Sequence, residues 1–319
     1  MASPASRGAP PEPGRFASEG VQPISERAFE RIRELLHGHS GIALATHKSV
    51  MVQSRLGKRL RAHGLRSYDE YLRILEDPDS PEWVEFVNAL TTNLTSFFRE
   101  EHHFSRLVAW FRDRTPSAGS PAGRALAGRA HTGRAHTGRA LAGLAYTGRA
   151  RLWSAGCSTG EEPYTLAMVM REAFPDWDVE ILATDLDSNV LANAQRGVYP
   201  EERLDNLDAK WLRLGFLRGR GGNAGKVKVQ PAIRDLVRFS QHNLLGDAWP
   251  EPGSMDAIFC RNVMIYFDKP TQKRIVGRFR DCLVPGGLLA VGHSESLLQA
   301  AAGFTSLGHT LYQRAEGVR

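Results

Sequence analysis

RLWSAGCSTGEEP, residues 151–163, decides how this chain is read. Leu152 and Trp153 form a short apolar run. Ser154, Ala155, Gly156, Cys157, Ser158, Thr159 and Gly160 make a small-residue turn, and Glu161, Glu162 and Pro163 open an apolar-periodic stretch. The pattern predicts strand, tight loop, helix, with the strand at Leu152–Ser154. Small residues in such a loop let the backbone approach a ligand closely. Acidic residues at a helix start suit the helix dipole, whereas a phosphate-binding loop leaves that end open to an anion. The loop reads as one built for a ligand with hydroxyls and positive charge rather than a pyrophosphate.

Downstream the same alternation continues. VEILATD (179–185) is a second strand. SNVLANAQRGV (188–198) is a helix with Ser188 as its expected cap. VRFSQHNL (237–244) is a third strand, and MDAIFCRNVMIYF (255–267) holds a fourth that ends near Arg261 and Asn262. KPTQKRIVGRFRDCL is the next helix and LLAVG (288–292) the fifth strand. Alternating strands and helices predict an α/β domain with a parallel, doubly wound sheet over residues 151–310. The stretch at about 200–236 breaks the pattern. Gly219, Gly221, Gly222 and Gly225 lie between LGFL and KVKVQ, which read as a hairpin and hence a small inserted β-subdomain.

In open sheets of this kind, ligands sit beyond the carboxyl ends of the strands, at the switch point. Those ends carry Cys157 to Glu161, Asp185, Asn243, and Arg261 with Asn262. An acid just past the second strand is where a ribose diol is held. The dinucleotide fingerprint G-x-G-x-x-G is missing, since the loop offers only Gly156 and Gly160, and the Walker A pattern is missing too. S-adenosylmethionine (SAM) suits such a sheet best. It has a ribose, an amino-acid tail and a sulfonium, and no phosphate.

Upstream, residues 24–112 read as a run of short amphipathic helices, an all-α unit assigned to 23–114. Ser67 with Glu70, and Ser80 with Pro81, mark two helix starts. Residues 48–66 carry Lys48, Arg55, Lys58, Arg59, Arg61 and Arg66 with no intervening acid, an expected landing site for an acidic partner. Residues 1–22 are rich in Pro, Gly, Ser and Ala and read as a disordered tail. Residues 115–150 are a linker, with six pentads from AGRAL to TGRAR. The net charge is +6, and residues 115–151 hold six arginines and no acid, so the rest of the chain is formally neutral. The basicity therefore gives no reason to expect a specific nucleic-acid partner. No apolar run of membrane-spanning length is present. Cys157, Cys260 and Cys282 have neither zinc nor disulfide spacing, so reduced thiols in a cytoplasmic protein and no metal are expected.

Several segments together resemble the CheR chemotaxis-receptor glutamate O-methyltransferases. They are LTTNLTSFFREEHHF (90–104), WSAGCSTGEEPYTLAM (153–168), ATDLDSNVLANAQRGVY (183–199), VRFSQHNLL (237–245), FCRNVMIYFDKPTQ (259–272) and PGGLLAVGHSES (285–296). The resemblance implies a Rossmann-like SAM-dependent methyltransferase domain with an inserted β-subdomain, preceded by the all-α domain. It implies SAM contacts for Asn93, Thr95, Arg99, Glu161, Asp185, Asn243, Leu244, Arg261 and Asn262. Arg99 and Tyr266 are the expected catalytic residues, Arg99 orienting the carboxylate or the cofactor tail and Tyr266 lining the transfer pocket. Glu162, Pro163 and His293 are expected to be structural.

The implied substrate is a glutamate on a chemoreceptor's methylation helices, docked by the basic helix 48–66. A receptor C-terminal tail is expected to add a strand at the β-subdomain, and the protein is expected to act as a monomer. The pentad linker departs from the family pattern, which joins the two domains briefly. Two other functions compete with this one. The first is a SAM methyltransferase of another substrate, against which RNVMIY replaces the Asn/Asp-Pro-Pro-Tyr/Phe pattern of amino-group nucleic-acid enzymes. The second is a non-catalytic SAM- or receptor-binding adaptor.

Overall fold

The computed structural model describes residues 20–115, 148–297 and 302–317. Most of the N-terminal tail and nearly all of the pentad stretch lie outside the described residues. The chain divides into two compact units, one up to Glu34 plus Ala45–Leu90, the other Leu35–Leu44 plus Thr91 onward.

The first unit is helical. It holds the start of α1 (Glu26–Ser40), then α2 (Ser49–Ala62), α3 (Tyr68–Ile74) and α4 (Glu82–Leu90). Ser67 caps α3 by accepting the Asp69 N–H at 3.2 Å. Val52, Leu56 and Leu60, at four-residue spacing, form the buried stripe of α2. The sequence placed residues 91–114 in this unit. They pack with the second unit instead, because α5 (His102–Arg114) buries Phe104, Leu107, Trp110 and Phe111 in the core around the sheet. Amphipathicity alone shows that a helix has a core to face and not which core it is.

The second unit is built on a seven-stranded sheet of order β6-β2-β1-β7-β8-β10-β9. Its strands are β1 (Arg149–Ala155), β2 (Asp178–Asp185), β6 (Val237–Gln241), β7 (Met255–Cys260), β8 (Leu283–Val291), β9 (Phe304–Ser306) and β10 (Leu311–Arg314). β6, β2, β1, β7 and β8 run parallel, with Leu152 opposite Ile181 on one side and Ala257 on the other. β1 starts at Arg149, inside the last pentad and earlier than expected, because Arg149 and Ala150 pair with Asp178 and Val179. β9 and β10 add an antiparallel edge that the sequence reading did not include. Each has four residues or fewer, too short for periodicity to reveal.

Helices α6 (Glu161–Ala173), α7 (Ser188–Arg196) and α10 (Lys269–Cys282) connect the strands. The strand order runs from β1 through β2 to β6, then returns to β7 beside β1, so the switch point lies between β1 and β7. The insertion is a three-stranded antiparallel sheet, β3-β5-β4, from Val198–Pro200, Lys226–Val229 and Phe216–Arg218. Its β4–β5 pair is the expected hairpin, and β3 is an additional strand. Two short helices belong to the same region, α8 (Ala209–Gly215) and α9 (Pro231–Arg234).

Candidate functional site

The loop after β1 is tied to the neighbouring strand. The N–H groups of Gly156 and Cys157 both donate to the Thr184 carbonyl at 2.8 Å. Gly156 has φ +89°, and a Cβ there would stand 2.3 Å from Val263 Cγ2, so only glycine lets the β1 loop pass this close to the chain after β7. The Ser158 N–H donates to Asp185 Oδ2 at 2.8 Å, and the Asp187 N–H donates to Asp185 Oδ1 at 2.9 Å. Burial pushes the Asp185 carboxyl up to about 6, against these two donors.

Glu161 begins α6 and is 1% exposed. Its Oε2 accepts the Thr159 hydroxyl at 2.6 Å, and burial raises its pKa above the ordinary carboxylate value. Glu162 faces elsewhere. Ser154 Oγ donates to one of its oxygens at 2.7 Å, and Arg261 Nη1 to the other at 3.1 Å. Arg261 also pairs with Glu100 at 3.2 Å and donates to the Arg99 carbonyl. Its guanidinium is thus a buried tie beneath the Arg99 turn. Phe98 and Glu100 on either side of Arg99 both have φ +54°, unusual for residues with a Cβ. Arg99 Nη1 donates to the Leu94 carbonyl at 3.0 Å.

Asn93 is held at the same end of the sheet. Asp187 Oδ2 accepts its Nδ2 at 2.9 Å and the Thr91 hydroxyl at 2.7 Å. The other oxygen, Oδ1, caps α7 by accepting the N–H groups of Asn189 and Val190. Asp187, rather than the expected Ser188, is therefore the N-cap, and it also tethers the Asn93 segment. The sequence signal was present, since Asp is a preferred cap and stands one residue earlier. The Thr95 carbonyl accepts from Arg203 at 3.3 Å.

Two candidates lie in a second group. Asn243 Nδ2 donates to the His39 carbonyl at 2.9 Å, and the Ala43 N–H donates to the Tyr266 carbonyl at 2.7 Å. Residues 39–43, which lie within the helical run of the sequence, thus hold the turns after β6 and β7. Tyr266 closes a single 3-10 turn, Met264–Tyr266, and so lies beyond strand β7. Leu244 is buried in the same cluster as Trp153, in the core on the other face of the sheet. Asn262 has φ +60°, and its N–H donates to Glu295 Oε2 at 2.7 Å. Glu295 also accepts the N–H groups of Ile265 and Gly292, so one buried carboxylate shapes the whole turn after β7. The sequence reading missed Glu295, because an acid 33 positions from its partner carries no local signal.

Burial pushes the thiols of Cys157 and Cys260 well above their ordinary value, so neither is a thiolate nucleophile. Burial pulls His103 down to about 4, and its Nε2 donates to the His309 carbonyl at 2.9 Å. Among the described residues no group of His, Cys, Asp or Glu could hold a metal ion. The donor set fits SAM. Carboxylates at the ends of β1 and β2 can accept ribose hydroxyls and face a cation, and the α6 N-terminus carries two acids where a phosphate would need to sit.

The comparisons agree with this geometry. The family profile described as "CheR methyltransferase, SAM binding domain" matches residues 137–313, and "CheR methyltransferase, all-alpha domain" matches residues 27–91. The chain is 42% identical to the chemotaxis protein methyltransferase of Klebsiella aerogenes, over 91% of this chain and 90% of that one. It is 45% identical to chemotaxis protein methyltransferase 2 of Pseudomonas aeruginosa, over 90% of this chain and 92% of the other. The Escherichia coli chemotaxis protein methyltransferase is 40% identical, with 91% of each chain covered.

Proposed function

The chain belongs to the CheR methyltransferase family and is a SAM-dependent methyltransferase; on that premise we propose that it esterifies glutamate side chains on the cytoplasmic methylation helices of chemoreceptors. The observation that carries this reading is Arg99. It is set in a turn with unusual backbone angles, and its carbonyl is fixed by the buried Arg261, which lies just past β7 and also holds Glu162 at the start of α6. A guanidinium is the side chain best suited to align a carboxylate.

When bound, SAM supplies an electrophilic methyl group on a sulfonium. Glu161 and Asp185 accept the ribose hydroxyls, and Asn93, held by Asp187, closes over the same end of the sheet. Asn243, Leu244, Arg261 and Asn262 supply the turns that line the adenine and amino-acid portions. Arg99 orients the incoming carboxylate, and Tyr266 bounds the transfer pocket. A glutamate side chain has a pKa of about 4.3, so it arrives ionised at neutral pH and no general base has to act. Rate then comes from alignment of the carboxylate oxygen with the methyl carbon.

The receptor's acidic helices dock on α2. Arg59 is not part of that face, because its guanidinium is committed to Glu82 at 2.6 Å and Glu85 at 3.3 Å. Lys58 and Arg61 on α2, with Lys48 and Arg66 flanking it, are the docking cations, with an interaction that weakens as salt rises. A receptor C-terminal tail adds a strand to the edge strand β4, where Leu217 is half-exposed. The enzyme acts as a monomer on the cytoplasmic face. Among the described residues, no helix is long and apolar enough to cross a membrane.

Transfer of radiolabelled methyl from SAM to receptor fragments, followed by base treatment, tests the reading. Base-labile release of labelled methanol is expected, with counts that base leaves in place as the refuting result. Arg99→Ala should lower kcat at saturating SAM by about 100-fold or more, the size of effect that follows loss of one aligned donor or a small misplacement. Normal turnover in that variant would remove Arg99 from the mechanism.

A further inference from the structure

The small sheet does more than decorate the insertion. Tyr199, on β3, is buried, and its hydroxyl donates to the Thr159 carbonyl at 2.7 Å, inside the loop after β1. Gly160 follows with φ +96°, and a Cβ there would stand 3.0 Å from the same hydroxyl and 2.9 Å from Ala194 Cβ. The loop is therefore pressed against β3 at a position only glycine fills. Arg203, four residues on, places Nη1 3.9 Å from Glu161 Oε1 and 3.3 Å from the Thr95 carbonyl. The Phe97 ring stands edge-on to both Tyr199 and Phe216, each at 5.1 Å. The insertion thus touches the cofactor loop through Tyr199 and Arg203, and the segment bearing Asn93, Thr95 and Arg99 through Arg203 and Phe97.

We infer that Tyr199 and Arg203 are positioning residues of the SAM site, with the inserted sheet acting as a strut that holds the 158–161 loop and the Thr95 segment in register. This rests on the assignment of Glu161 to the cofactor made above. Glu161 is almost fully buried, with one oxygen on Thr159 and the other facing Arg203. Arg203 is the cation that faces it. The other titratable groups around it, Tyr199 and Cys157, are held neutral by burial. Burial raises the Glu161 pKa and Arg203 opposes that rise. Arg203 is half-exposed, so shortening it leaves no cavity in the core.

Titration calorimetry of SAM into the full-length chain tests the strut without any receptor substrate. Arg203→Gln should weaken SAM binding by about tenfold, and Tyr199→Phe by several-fold, the scale of one lost charge-assisted or neutral hydrogen bond. Arg203→Lys should recover most of the affinity. Lys226→Gln, on strand β5 of the same small sheet, should bind as the wild type does. With saturating SAM, kcat should stay close to wild type in both strut variants, a split between affinity and turnover that a general loss of structure would not give.

A second readout is the pH at which SAM binding is lost on acidification. It should move upward in Arg203→Gln and return in Arg203→Lys, because the lost cation no longer stabilises the ionised Glu161. Equal affinity in wild type, Arg203→Gln and Tyr199→Phe overturns the strut. So does a fall in kcat at unchanged affinity. If the wild type itself fails to bind SAM, the site assignment fails first and the strut falls with it.

Discussion

Each compact unit pairs an arginine with buried carboxylate, and the two clusters are built differently. In the helical unit, Glu82 is 5% exposed and receives Arg59 through two nitrogens at 2.8 and 2.6 Å, His63 Nε2 at 2.8 Å and the Tyr71 hydroxyl at 2.8 Å. One carboxylate meets three donors drawn from α2, α3 and its flanks. In the sheet unit one guanidinium, that of Arg261, meets two carboxylates, Glu100 at 3.2 Å and Glu162 at 3.1 Å. Arg261 Nε is buried there without a hydrogen-bond partner, and His103 Nδ1 stands 3.6 Å from Glu100 Oε2, too far for a hydrogen bond. The first cluster is over-supplied with donors and the second carries surplus negative charge.

The titration of the two clusters follows from that difference. Burial pushes Glu82 up, but its hydrogen bonds from Arg59, His63 and Tyr71 outweigh it and hold the carboxyl at about 2. In the Arg261 cluster the two carboxylates divide: Glu162 remains raised, because burial outweighs Arg261 and Ser154, whereas for Glu100 burial is outweighed by Arg261 and the His293 N–H, and the carboxyl is lowered. The first arrangement stabilises a fold. The second places an incompletely satisfied charge under the turn that carries Arg99, as functional sites do when a turn must be held in an unfavourable backbone shape.

The largest effect should come from breaking the second cluster. Arg261→Ala leaves two carboxylates buried without their cation, at a cost of about 3–5 kcal/mol in thermal or denaturant unfolding of the sheet unit. Replacing all three together, Arg261→Met with Glu100→Gln and Glu162→Gln, should restore much of that stability, since a buried ion cluster and a neutral one of similar volume differ little. Methyl transfer should stay low in the triple variant, because the Arg99 carbonyl has lost its donor. A triple variant with wild-type turnover would make the cluster a stability device like its counterpart, and the contrast would collapse.

The helical cluster should give a smaller and purely energetic response. Glu82→Gln removes the charge while Arg59 and His63, both partly exposed, can return to water, so a loss of about 1–3 kcal/mol is expected. The pH dependence has a definite sign. The folded pKa of Glu82 lies below its ordinary value, so ionisation favours the native state. Its contribution is complete above 4.5 and is lost as the pH falls toward about 2. Denaturant melts between those limits should show the wild type losing stability faster than Glu82→Gln. SAM affinity at neutral pH should be the same in both, and a change there would mean that the helical cluster also serves the site.

Both clusters mark where the sequence was legible and where it was not. Local rules placed the β1 turn, the Asp185 carboxylate, the hairpin at Phe216–Val229 and the buried stripe of α2, because each rests on neighbours within a few residues. The five parallel strands were legible from alternation. What was missed joins distant positions. Arg261 meets Glu100 and Glu162, Glu295 meets the turn after Asn262, and residues 39–43 meet Asn243 and Tyr266. The assignment of α5 failed for the same reason.

Asp187 lies on the boundary between the two kinds of information, and it gives the smallest and most discriminating prediction. Its Oδ1 caps α7, a local role that any good cap can fill, while its Oδ2 holds Thr91 and Asn93, a role that needs the second oxygen. Asp187→Ala should cost about 1–2 kcal/mol, chiefly through loss of the cap. Asp187→Ser keeps a side-chain oxygen for the N–H groups of Asn189 and Val190, so its stability loss should be only a few tenths of a kcal/mol. The two variants should nevertheless lose SAM affinity to a similar degree, since both release Asn93. Calorimetric SAM binding beside thermal melts separates the roles. Affinity that tracks stability across the pair would assign Asp187 to the helix alone, whereas equal affinity loss at unequal stability would extend the lesson of the Arg261 cluster, that this end of the sheet spends its buried charges on placing the residues around the cofactor.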